Sequence, residues 1–127
     1  MSIDVAKQIS YWRDGSLEDM EVARELLEKR RYRHGLFFAH LSLEKMLKAH
    51  VSKQTKAIPP KIHTLVILAE KAGLKLPQDR ENFLLKFNVY QLEGRYADSN
   101  QVPLDASTAI SRLVAAEEMM GWLKAQL

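Results

Sequence analysis

The sequence predicts an all-α protein, an antiparallel up-and-down four-helix bundle with an additional short helix. Three observations lead there. Apolar residues recur at steps of three and four along most of the chain, the spacing of one helical face. Strand-type alternation is missing throughout. With 5 Gly and 4 Pro in 127 residues, there is little material for the many turns of an all-β fold. The length fits one domain, residues 1–127, and its 46% hydrophobic content suffices for one core.

The first helix is expected over residues 3–31, from the pattern Val5, Ile9, Trp12, Met20, Ala23, Leu26 and Leu27. Asp14-Gly15 offers a break, and Ser16 with Asp19 offers a capping box for a new helix. The apolar phase nevertheless runs unbroken across Gly15, and one glycine costs a helix only ~1 kcal/mol. One long helix, bent near Gly15, is therefore favoured over two helices with a tight turn.

Residues 32–35 read as a short connection, and a second helix is expected over 36–53. Leu36, Phe37, Ala39, His40, Leu43, Met46, Leu47 and Val51 give it a broad apolar face. Glu44 and Lys48 stand at i and i+4 in the favourable order. Pro59-Pro60 forbids continuation. A third helix is expected over 63–72, with Gly73 as its C′ residue. A fourth follows over 78–92, with Phe83, Leu84, Phe87 and Tyr90 on one face. Residues 94–103 (GRYADSNQVP) are polar and turn-rich and read as a loop. The last helix is expected over 104–125, with Ala106, Ile110, Leu113, Val114, Glu117, Met120 and Leu123 facing inward and Ala109 and Ala116 alongside. Two long amphipathic helices joined by a short connection must lie antiparallel, and the long C-terminal helix then packs against them.

The net charge of +3 and pI of about 9.2 are too mild to signal nucleic-acid binding by themselves. Placement says more. Lys29, Arg30, Arg31, Arg33 and His34 crowd one helix junction, and Lys45, Lys48, His50, Lys53, Lys56 and Lys61 follow. That side can meet phosphate or an acidic partner, or can be an ordinary solvated face. With no cysteine, disulfides, thiolate zinc sites and cysteine nucleophiles are all excluded, in keeping with a reducing compartment. The N-terminus has no apolar core of signal-peptide type, and no run of 18 uncharged apolar residues exists, so a cytoplasmic protein is expected.

Four histidines are the obvious chemical groups. His40, on the apolar side of the second helix, is either a satisfied core residue or a proton-transfer and phosphate group. Arg33 and His40 formally fit an R-x6-H spacing, and RNA cleavage needs an arginine to hold phosphate and a histidine to move a proton. His63, after Pro59-Pro60, reads as a residue that caps a helix or docks on the bundle. Neither HxxxH nor HExxH occurs, and carboxylates are not expected to cluster with the histidines, so no metal or other cofactor is expected. Phosphate loops of the GxxxxGK and GxGxxG types and a GxSxG elbow are missing too. Asn88, Tyr90, Arg95, Tyr96 and Asp98 fall within eleven positions. An arginine flanked by tyrosines can bind phosphate while a ring stacks on a base. Alternatively, Arg95 pairs with Asp98 or Glu93 while Tyr96 packs the loop down.

These residues resemble the HEPN domain family. Trp12, Asp19, Ala23 and Tyr32, then Phe37-Phe38-Ala39-His40-Leu41-Ser42-Leu43-Glu44-Lys45-Met46-Leu47-Lys48-Ala49, resemble its first two helices and an A-x-E-K-x-L-K-A type signature. Pro60-Lys61-Ile62-His63-Thr64-Leu65 resembles its P-x-x-H-x-L entry into helix three. Arg95-Tyr96-Ala97-Asp98 resembles its R-Y-P-D loop, with alanine in place of proline. The resemblance implies a bundle of four to five helices that dimerises. Some members accompany minimal nucleotidyltransferases in toxin–antitoxin pairs, and others bind nucleotides or cut RNA through an R-x4-6-H motif in later helices. This chain has no histidine after His63, so that motif is missing from its place.

The resulting expectation is a non-catalytic HEPN module that binds nucleotide, a nucleotidyltransferase partner, or both, through a polar groove at a homodimer interface. The expected groove residues are His40, Glu44, Lys48, Tyr90, Arg95, Tyr96 and Asp98. One alternative is a metal-independent RNase, with Arg95 clamping phosphate and His40 or His63 as base. Another is a structural adaptor that docks a protein through an apolar patch near Phe37, Phe38 or Trp122.

Overall fold

The computed structural model describes residues 3–93 and 104–127. The loop expected at 94–103, with Arg95, Tyr96 and Asp98, lies outside the described residues. Among the described residues there are six helices and no strand: α1 (Val5–Glu28), α2 (Tyr32–Thr55), α3 (Leu65–Lys71), α4 (Gln78–Phe87), α5 (Val89–Glu93) and α6 (Ala106–Gln126).

α1 passes through Gly15 without interruption. The capping box does not form because its members bind α2 instead. Ser16 Oγ donates to the Ser42 carbonyl at 2.6 Å, and Ser42 Oγ donates to the Ser16 carbonyl at 2.7 Å. Asp19 pairs with Lys45 at 2.8 Å. These contacts pin α1 antiparallel to α2 at its middle.

The second helix begins at Tyr32, not at residue 36, because the turn before it is tighter than expected. The Arg30 N–H donates to the Leu27 carbonyl at 2.9 Å and the Arg31 N–H to the Leu26 carbonyl at 2.8 Å. That pair of bonds is a Schellman closure, and it needs only residues 29–31. Arg33 and His34 therefore lie in the first turn of α2. Arg30 holds the left-handed position with φ of 63°, which suits glycine far better than arginine. Arg30→Gly is expected to raise stability by up to ~1 kcal/mol, read as an increased thermal midpoint.

The expected fourth helix is divided at Asn88 into α4 and α5. The Asn88 carboxamide oxygen accepts from the Leu65 N–H at 3.3 Å and bonds the His40 ring at 3.1 Å. Those bonds tie the interruption to the start of α3 and to α2. α6 starts at Ala106, capped by Asp105, which accepts from the Thr108 N–H at 2.7 Å. Its inward face is rotated from expectation. Ala109, Leu113, Ala116, Met119, Met120 and Leu123 are buried, whereas Ile110 and Val114 are 54% and 61% exposed. The small Ala109 and Ala116 let the α6 backbone approach the bundle, so burial follows the alanine side.

α2 is the central element, covered by α1, α6, α3 and α5, while α4 packs on α3. Its Leu36, Leu43, Met46 and Leu47 meet Met20, Leu65, Leu68, Leu84, Phe87, Met119 and Leu123 in one core. His50 Nε2–H donates to the Leu123 carbonyl at 2.7 Å, and Lys53 reaches the Leu127 carbonyl at 2.7 Å. α6 therefore runs in the same direction as α2, as second and fourth members of an up-and-down bundle do.

Burial is the main force pushing the His50 pKa below the usual 6.5; the Leu123 carbonyl pulls it up less strongly, and Lys53 adds a further downward push. The folded state thus binds this proton more weakly than the unfolded state does. Its contribution is whole above pH 6.5 and is lost as pH falls through that value toward the lower folded pKa. The urea midpoint of the native chain is expected to drop across that window more steeply than that of His50→Gln.

Candidate functional site

A buried polar cluster forms on the side of α2 that faces α3 and α5. His40, Glu44 and Lys48 recur every fourth residue and so share a face. All three are buried, with His40 at 0% exposure, although the core around them is apolar. Burying such groups is costly unless they pair, and Glu44 does the pairing. Its Oε2 accepts from Lys48 Nζ at 3.1 Å and from His63 Nδ1–H at 3.0 Å. Its Oε1 lies 3.8 Å from His40 Nδ1.

Each remaining partner comes from a different element. His63 arrives from the segment between Pro59-Pro60 and α3, with its ring 41% exposed. Asn88 meets His40 Nε2 from the α4–α5 interruption. Trp12 of α1 lies under Lys48 Nζ, 5.2 Å from ring centre to nitrogen, and its own Nε1–H donates to Gln8 at 3.2 Å. A carboxylate, an ammonium and two imidazoles are thus gathered where four elements meet.

Of the expected groove residues, the fold brings together His40, Glu44 and Lys48, and adds His63. It does not bring Tyr90 to them. Tyr90 is buried edge-on against Phe87, 4.8 Å between ring centres. With Phe83, Lys86, Phe87, Val89 and Arg112 it lines a separate, mostly apolar cavity of about 240 Å³. Arg95, Tyr96 and Asp98 lie outside the described residues. The expectation that no carboxylate clusters with the histidines is corrected: Glu44 lies between His40 and His63. Asn88 and Trp12 were not among the expected groove residues. Asn88 carried one signal, a poor helix former inside an otherwise helical stretch.

Among the described residues, no three His, Cys, Asp or Glu side chains are placed to hold a metal ion. Nor is any described helix long and apolar enough to cross a membrane. Trp122, one of the three residues expected to mark an apolar patch, is half-buried beneath the Arg80 guanidinium at 4.4 Å. Phe37 and Phe38 are also half-buried. The large apolar residues exposed on α6 are instead Ile110 and Val114, one turn apart.

A family model described as HEPN domain matches residues 9–126. No curated protein and no solved structure matches the chain. The match spans all six helices except the first turn of α1, and it includes every residue of the buried cluster. The chain belongs to the HEPN domain family.

Proposed function

We propose that this chain is a non-catalytic HEPN module that binds a nucleotide, a nucleotidyltransferase partner of toxin–antitoxin type, or both, as a homodimer. One observation carries the non-catalytic part. His40, the histidine that could pair with Arg33, has no exposed surface and lies between Asn88 and Glu44. A general base must reach the proton it removes, and this imidazole is enclosed. Arg33 stands seven residues earlier, about 10 Å along the helix axis. Exposed Ile110 and Val114 on α6 supply apolar area for a second copy.

Arg95 is the residue proposed to hold phosphate. Arg95→Ala is expected to weaken nucleotide affinity by about tenfold or more, the worth of a charged hydrogen-bonded contact. Calorimetric titration with ATP checks this, and unchanged affinity in a folded variant rejects the assignment. Affinity capture from native cells tests the partner. A nucleotidyltransferase recovered at near-equal stoichiometry supports the module reading, and recovery of this chain alone removes that partner.

One observation favours a second reading, a metal-independent RNase. His63 is part-exposed while its Nδ1–H is held by Glu44, the arrangement that orients an imidazole as a base. RNA cleavage that vanishes in His63→Ala would establish it. Cleavage that persists in His40→Ala and His63→Ala together would remove both histidines from that role.

A further inference from the structure

The cavity of about 240 Å³ between α4, α5 and α6 combines an aromatic floor with two cations. Phe83, Lys86, Phe87 and Tyr90 recur at steps of three and four, so they share one helical face. Asn88 keeps right-handed helical dihedrals, φ −60° and ψ −20°, and that face therefore continues from α4 into α5. The rings on it are packed together. Phe83 and Phe87 are tilted with centres 5.2 Å apart, and Phe87 meets Tyr90 edge to face at 4.8 Å. Arg112 lines the same space from α6.

The way α4 is fastened to α6 explains the gap. Arg80, in the first turn of α4, forks onto both Glu118 carboxylate oxygens at 2.9 Å and lies 4.4 Å from the centre of the Trp122 ring. One turn further along α4, Phe83 meets Ala115, which is too short to cover it. The next turn of α6 brings Arg112 instead of an apolar side chain. An amphipathic helix gains stability by covering its apolar face, and a cation at this position gives that gain up. Lys86 and Arg112 are both exposed, so they stand at the mouth of the cavity, one on each wall. Rings inside and positive charge at the rim are complementary to a ligand with a flat apolar body and an anionic end.

We propose that this cavity binds a small aromatic carboxylic acid. Its ring packs among Phe83, Phe87 and Tyr90 in the offset and edge-on contacts that rings prefer. Its carboxylate is held between the Arg112 guanidinium, whose fork matches two carboxylate oxygens, and the Lys86 ammonium. The Tyr90 hydroxyl is the polar group among the rings and can bond a substituent on the ligand. The volume equals that of roughly eight waters at about 30 Å³ each, which is room for one or two fused rings. A free phosphate, compact and strongly hydrated, gains nothing from the aromatic floor.

The test is a nuclear magnetic resonance titration of the full chain with 2-naphthoate, and with 2-naphthamide, which has the same shape and no charge. Amide signals of residues 83–90 and of Arg112 are expected to move together with 2-naphthoate, with a Kd on the order of 100 µM for so small a ligand. 2-Naphthamide should bind about tenfold more weakly or less well still. Lys86→Gln and Arg112→Gln change exposed positions, and their thermal midpoints should match that of the native chain. Each should weaken 2-naphthoate about fivefold and the double about 20-fold, while 2-naphthamide changes by less than about twofold. That contrast separates lost charge from altered packing. Lys7→Gln on α1, which removes an equal charge elsewhere, should change 2-naphthoate affinity by less than about twofold. The proposal is overturned if 2-naphthoate at about 2 mM leaves the cavity signals in place, if 2-naphthamide binds as tightly, or if the double variant binds as the native chain does. Cavity signals that move with protein concentration alone would assign the face to a second copy. ATP that moves them at lower concentration than 2-naphthoate would assign it to a nucleotide. Either result overturns the proposal.

Discussion

Glu44→Ala is expected to destabilise the fold by about 3–5 kcal/mol, the usual cost of stripping a buried charge of its partner. The Lys48 side chain is 7% exposed, and Glu44 is its hydrogen-bonded counter-charge. Without that carboxylate, the Trp12 face is what the described residues leave the ammonium. His63 also loses its anchor, so the segment entering α3 is released. The pair as a whole need not be stabilising, because removing both charges also removes both desolvation costs. Glu44→Leu with Lys48→Met should therefore recover most of the loss. Urea denaturation of the native chain, Glu44→Leu, Lys48→Met and the double variant closes a double-mutant cycle. A loss under about 1 kcal/mol in Glu44→Ala would mean that water already reaches the pair. If the double variant folds well but loses ligand or partner binding, the cluster serves function at some expense of stability. If it retains binding, the cluster serves to fix where α3 and Asn88 dock.

Gly35→Val is expected to cost about 3 kcal/mol, whereas Gly121→Ala should gain up to about 1 kcal/mol. Both glycines lie within helices, so propensity alone would make both replacements favourable. Contacts separate them. A Cβ on Gly35 would collide with Leu27 Cδ1 and stand 3.2 Å from the Ala23 carbonyl oxygen. Leu27 is 8% exposed and has little room to turn away, and the Ala23 oxygen is backbone. The remaining remedy is to separate α1 from α2, which strains the Ser16–Ser42 exchange and moves the corner that carries Arg30 to His34. A Cβ on Gly121 meets nothing within 4 Å. Thermal midpoints of the two variants should shift in opposite directions. Equal shifts would mean that the helices do not approach at Gly35 as closely as the structure has them.

Much of the fold was legible because it follows from local periodicity. The continuity of α1 through Gly15 could be read from the unbroken phase of Val5, Trp12 and Ala23, and the end of α2 from Pro59-Pro60. Element edges were less legible where a backbone closure set them. Nothing in Arg30 announces a left-handed residue, so the start of α2 at Tyr32 was missed by four positions. The α6 face was misjudged because residue type was weighed above approach distance: alanine lets a helix come close, and the larger Ile110 and Val114 were left outside.

The sequence by itself determined the helical class, the pairing of the two long N-terminal helices, the basic concentration at residues 29–34, and the placing of His40, Glu44 and Lys48 on one face. All of these depend on spacings within a single helix or turn. The tertiary structure alone decided that His63 and Asn88, 19 and 48 positions away from their partners, complete that face. It also decided that His40 is enclosed while His63 keeps part of its ring exposed. Such pairings arise when the apolar surfaces of different helices are buried together, and the polar groups carried along must then satisfy one another at whatever distance in sequence the packing sets.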